Sequence, residues 1–198
     1  MTTATGAIGA VVPASPRPDR GQVGILGLIL AESAVFSIFI AAYVYYVGKS
    51  LTGPTPGQVL DLPIIISVLL WSSSVTIHLA VRALRAGLVS AFTLWWFLTI
   101  LLGTLFLIGT GAEWYRLIYH DRLTIRTNLF GTTFYSLVGL HASHVIVGLV
   151  LMTVGLVLAL EGHVRAAHAR RAEVLSLYWH FVDAVWVVVF LVVYVVGR

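Results

Sequence analysis

Five long apolar blocks constrain this chain more than any other feature. A bilayer span needs about 20 mostly apolar residues, because the hydrocarbon core is roughly 30 Å thick and a helix rises about 1.5 Å per residue. The blocks run over about 23–47, 62–84, 92–119, 129–160 and 175–196. They imply an all-α polytopic membrane protein, a bundle of five transmembrane helices. That is one membrane domain with no room for a second. Apolar residues make up 59% of the chain and charged residues only 10%, against about 25% charged in a typical soluble domain.

Turn chemistry separates the blocks. Lys49–Leu60 (KSLTGPTPGQVL) reads as a loop, with Gly53, Pro54, Pro56 and Gly57 as breakers. Pro63 falls in the first turn of the second span, where a missing N–H costs little. Arg85–Gly87 is a tight turn, with Gly87 suited to the position after the helix cap. His120–Asn128 is a polar stretch, and Glu161–Arg171 (EGHVRAAHARR) is the most basic loop. The fourth block exceeds a straight crossing, so it either tilts or projects from the bilayer. Residues 1–21 read as a disordered tail rich in Pro13, Pro16 and Pro18. The first 20 residues lack the basic n-region and long apolar h-region of a cleaved signal peptide.

The formal charge is +4, carried by only 12 Lys and Arg. This is a topology signal, not a nucleic-acid footprint. With the N-terminus cytoplasmic, the inner side holds Arg17, Arg20, Arg82, Arg85, Arg165, Arg170 and Arg171. The outer side then holds Lys49, Arg116, Arg122, Arg126 and Arg198. Seven against five favours N-in and C-out, with the Arg116–Arg126 loop as the contrary evidence. There are no cysteines, which excludes disulfides, thiolate metal sites and cysteine nucleophiles.

Polar residues inside the spans mark candidate sites. A carboxylate in the membrane core costs several kcal/mol unless it is protonated, paired or hydrated. Glu32 lies about 4.5 Å towards the inner side of the first span's centre. Phe36, Phe39 and Tyr43 follow on its face. It reads either as a proton-handling or lipid-cleft residue, or as a hydrogen bond locking two helices. His141 and His144 sit at i and i+3 in the fourth span, with Gly148 and Gly155 near the same face, where glycines admit close approach by another backbone. A metal reading of this pair lacks carboxylate partners at matching depth, and a haem reading would call on His78 or His180. Hydrogen bonding or proton shuttling is the commoner use of a buried histidine.

The fifth span opens with YWHFVDAVW. His180 and Asp183 can pair across one turn, and Trp179, Asp183 and Trp186 share a face. The alternative is an interfacial belt of Tyr178, Trp179 and Trp186 with a snorkelling charge pair. Glu113 and Trp114, ending the third span, read as interfacial. Ser72, Ser73, Ser74 and Thr76 read as packing glue rather than a pathway. No phosphate loop, nucleophile elbow or metal-spaced Cys/His set is present. The chain shows no self-contained catalytic site and no metal site of its own.

These strings resemble a known family, haem-copper oxidase subunit III. YWHFVDAVW (Tyr178–Trp186) resembles the signature of its last helix. FYSLVGLHASHVIVGL (Phe134–Leu149) resembles its helix with paired histidines followed by V-x-x-G. AESAVFSIFIAAYVYY (Ala31–Tyr46) resembles its helix bearing a buried Glu and then aromatics. SSSVTIHLAVRALRAG (Ser72–Gly87) and FLIGTGAEWYRLI (Phe106–Ile118) fit the intervening helices. The resemblance runs from about Ala31 to Tyr194 and implies the five-helix bacterial form.

By that resemblance, the chain is an accessory subunit of an aerobic terminal oxidase in the bacterial inner membrane, most directly cytochrome c oxidase. It carries no redox cofactor; haem and copper belong to partner subunits. It packs on subunit I, alongside subunit II, binds phospholipid in a cleft and supports proton uptake. Glu32 would be the buried carboxylate near that cleft. His141, His144, His180 and Asp183 would be the signature polar residues. One departure stands out: Thr110 and Gly111 occupy the region where the family often carries a Gln before Glu113. Quinol oxidases and nitric oxide reductases have related subunits and remain alternatives. So do an independent proton channel and a haem-b anchor.

Overall fold

A computed structural model of the chain describes residues 20–197. The tail expected over 1–21, with Arg17, and the terminal Arg198 lie outside the described residues, apart from Arg20 and Gly21, which are already helical. The elements are α1 (Arg20–Tyr46), α2 (Pro56–Val59), α3 (Ile64–Arg85), α4 (Val89–Tyr119), α5 (Leu129–Leu160) and α6 (Ala169–Phe190). A 3-10 turn at Ala166–His168 precedes α6, and a π-helical stretch at Leu191–Val196 prolongs it. Among the described residues five helices are long and apolar enough to cross a membrane. At 32 residues, α5 extends about 48 Å, so it either tilts or projects.

Two elements differ from the sequence expectation. The short α2 interrupts the loop expected over Lys49–Leu60. Thr55 starts it with a capping box, its N–H donating to Gln58 Oε1 at 3.0 Å. And α6 begins at Ala169, six residues before the apolar block at 175. Its polar first turn, with Arg170, Arg171 and Glu173, is helical but invisible to a hydropathy argument.

Helix ends follow local chemistry. Gly87 has φ +76° and closes α3 in a Schellman motif: Leu88 N donates to Ala83 O at 3.0 Å, and Gly87 N to Leu84 O at 3.0 Å. Gly162, also at φ +76°, repeats this at the end of α5. Asn128 caps α5, its side chain accepting from Gly131 N at 2.8 Å.

In the bundle, α3 lies along α4, and α4 along α5. Helix α1 rests on α5 and α6, and α6 also contacts α3 and α5. Thus α6 is the most buried span and α1 the least. Gly103 of α4 and Gly148 and Gly155 of α5 admit indole rings, not another backbone. A Cβ built on Gly103 or Gly148 would stand 2.9 Å or 2.8 Å from the Trp179 ring. Trp179 is therefore wedged between two helices. Its indole N–H donates to Ser73 Oγ on a third at 2.8 Å.

Candidate functional site

Glu32 and His144 meet between α1 and α5, with Glu32 Oε2 3.1 Å from His144 Nε2. This corrects the expectation that the paired histidines have no carboxylate at matching depth. His144 Nδ1 lies 2.8 Å from Leu140 O. A carbonyl only accepts, so Nδ1 carries hydrogen there. A hydrogen bond on the Nε2 side then requires one proton held between imidazole and carboxyl. The Phe36 ring leans on His144 at 5.0 Å, and Tyr178 Oη donates to His144 O at 3.1 Å. Glu32, Ser143, His144, Tyr178 and Arg171 line a mostly apolar cleft of about 520 Å³ between α1, α5 and α6, completed by Leu28, Val147 and Leu151.

His141, one helical turn before His144, has a different setting. It is fully buried and stacks on Trp186, with ring centroids 4.9 Å apart and planes 28° apart. Phe106 meets it edge-on at 5.8 Å. Neither ring nitrogen has a hydrogen-bond partner.

His180 and Asp183 form a second cluster on the other side of α6. Sequence spacing suggested a direct pair; instead Ser74 of α3 stands between them. Its Oγ lies 3.0 Å from His180 Nδ1 and donates a hydrogen bond to Asp183 Oδ2. His78 and His180 line a separate polar cleft together with Arg82, Arg85, Glu173 and Gln22. From sequence Ser74 reads as packing glue, because a serine run mid-helix usually bonds its own carbonyls. Ser72 does so, to Val68 O at 2.7 Å. What marks Ser74 is its neighbour on another helix, 109 residues away.

Trp179 and Trp186 occupy the interior of the bundle and not an interfacial belt; both are fully buried. Trp186 donates from Nε1 to Ser67 Oγ at 3.0 Å. Tyr178 is buried as well. Glu113 is half-buried and accepts from Tyr194 Oη at 3.0 Å, tying α4 to the π-helical stretch that prolongs α6. Trp114 packs edge-on against Tyr135 at 5.2 Å. Thr110 donates to Phe106 O within its own helix at 3.0 Å, so it brings no new polar link to Glu113. Among the described residues, no three His, Asp or Glu side chains converge as metal ligands would.

The family model for cytochrome c oxidase subunit III matches residues 22–198. The chain belongs to that family. A "Cytochrome c oxidase subunit 3" of Corynebacterium diphtheriae is 34% identical over 191 residues, covering 92% of this chain and 91% of the relative. One from Alkalihalophilus pseudofirmus is 35% identical over 168 residues, covering 84% and 82%. One from Synechocystis is 35% identical over 181 residues, covering 89% and 76%. The match to the subunit III family takes in both polar clusters and all five spans, and it makes the chain a multi-pass membrane protein of an oxidase.

Proposed function

We propose that this chain is the accessory subunit III of an aerobic respiratory terminal oxidase, cytochrome c oxidase in the first instance. In this reading it packs on subunit I, next to subunit II, in a bacterial inner membrane with its N-terminus cytoplasmic. The partner subunits hold the haem and copper that reduce O2 to water. This chain contributes stability, a phospholipid site and support for proton uptake.

The observation that carries the reading is the Glu32–His144 pair on the wall of an apolar cleft. The apolar lining suits acyl chains, and Arg171 at its inner end suits a lipid phosphate. The pair itself holds a proton in a membrane-buried position, where an ionisable group signals function by default. Its weight is tested in the purified complex by Glu32→Gln and Glu32→Ala. Both are expected to lower bound phospholipid and to speed inactivation during turnover. Unchanged lipid content, turnover and inactivation rate would remove Glu32 and the cleft from the account.

A further inference from the structure

The Glu32 cleft leaves the second polar cluster unused. Asp183 is 4% exposed; its Oδ2 accepts from Ser74, and its Oδ1 has no hydrogen-bond partner. His180, on the other side of Ser74, lines a cleft of about 520 Å³. The charged and titratable groups facing that cleft are His78, Arg82 and Arg85 from α3, and Glu173 and His180 from α6; α1 contributes Gln22. Arg85 Nε and Glu173 Oε1 pair at 2.8 Å. The cleft lies where α1 begins, α3 ends and α6 begins, so it enters from one end of the bundle.

Depth gives the cluster its meaning. From Glu173 to Asp183 the helix rises about 15 Å, half of a roughly 30 Å hydrocarbon core. The polar entrance reaches His180, and Ser74 links His180 to a carboxyl near the membrane midplane. Locking α3 to α6 would need only the Ser74–His180 bond. A carboxyl with one orphan oxygen adds several kcal/mol of burial cost to that task without improving it. What it adds chemically is a place to hold a proton.

We propose that Asp183 is a proton-binding site near the middle of the membrane, loaded from one face through this cleft by way of His180 and Ser74. The proposal deepens the proton-supply part of the functional reading and rests on it only for where the proton goes next. A proton taken up at His180 Nε2 gives the imidazolium. Its Nδ1 proton passes to Ser74 Oγ while the Ser74 hydroxyl proton passes to Asp183 Oδ2. Imidazole and serine are restored, the carboxylate becomes a carboxylic acid, and one proton has moved.

The test is isotope-edited infrared spectroscopy on the complex purified through a tag on this chain, with carboxyl-labelled aspartate. The Asp183 acid should give a C=O band that fades as pH rises and shifts in D2O. Asp183→Asn should delete it and Asp183→Glu should move it. Ser74→Ala and His180→Gln should keep the band but slow its hydrogen–deuterium exchange roughly 100-fold. A missing Asp183 band across about pH 5–9 overturns the site. Exchange unchanged in both relay variants overturns the route, and these two variants decide it if Asp183→Asn fails to assemble. Haem in the same preparation judges the oxidase reading separately: a titrating band without co-purifying haem keeps the site and removes the oxidase.

Discussion

Individual side chains in this bundle are held by two kinds of constraint, close packing and satisfied polar atoms. Trp179 shows the first. Its ring fills the space that Gly103 and Gly148 leave open. Gly148→Ala gains up to about 1 kcal/mol in helix propensity. It also places a methyl 2.8 Å from that ring, and overpacking costs about 1–3 kcal/mol. The overpacking wins, so the variant should melt earlier than the parent in detergent; an equal or higher Tm would contradict the wedge. Trp186 shows the second constraint. Ser67→Ala strands its buried indole N–H, worth about 1–3 kcal/mol. Replacing Trp186 by Phe in the same chain removes the stranded donor. A double-mutant cycle should therefore show the two losses to be far from additive.

At the scale of elements, the five spans were legible because each apolar block is long enough to cross a bilayer and is bounded by Gly, Pro or charge. Gly87 was legible as a stop signal for the same reason. Helix adjacency was not. These helices are apolar nearly all round, so their periodicity does not say which face meets which neighbour. That is why the Glu32–His144 contact, 112 residues apart in sequence, and the Ser74–Asp183 contact, 109 apart, could not be read. It is also why an interfacial belt stands as an alternative for Trp179 and Trp186 at the level of sequence. The α1–α3 and α4–α5 connections lie together at the other end of the bundle. Asn128 Nδ2 donates to Thr52 O at 3.0 Å and Pro54 O at 3.1 Å, while its Oδ1 caps α5. Arg116 donates to Val59 O at 2.6 Å and pairs with Asp61 and, at 3.6 Å, Asp121. Asn128→Ala should thus cost more than the about 1 kcal/mol of a lost cap. It should also speed proteolysis within residues 50–55. A cap-sized loss with no change in cleavage there would mean the loops are not coupled.

The whole molecule has two unlike ends, and its orientation decides what both polar clefts can do. The end with the start of α1 and the α3–α4 and α5–α6 turns carries Arg82, Arg85, Arg165, Arg170 and Arg171. The opposite end carries Lys49, Arg116, Arg122 and Arg126. Arg85 is paired with Glu173, and Arg116 with Asp61. Acidic partners contribute little to the positive-inside bias, so the count of basic residues is the relevant quantity. It favours the first end as cytoplasmic, the side from which the proposed function has protons taken up. The Asp183 cleft opens at that end, and Arg171 places the head of the Glu32 cleft there too. The native chain has no cysteine, so single-cysteine variants report cleanly. His168→Cys should resist a membrane-impermeant maleimide in intact cells and react once the membrane is opened. Arg122→Cys, in the opposite loop, should react in intact cells. The reverse pattern would turn the molecule over, and the Asp183 cleft would then draw protons from the outer face and could not serve uptake from the cytoplasm.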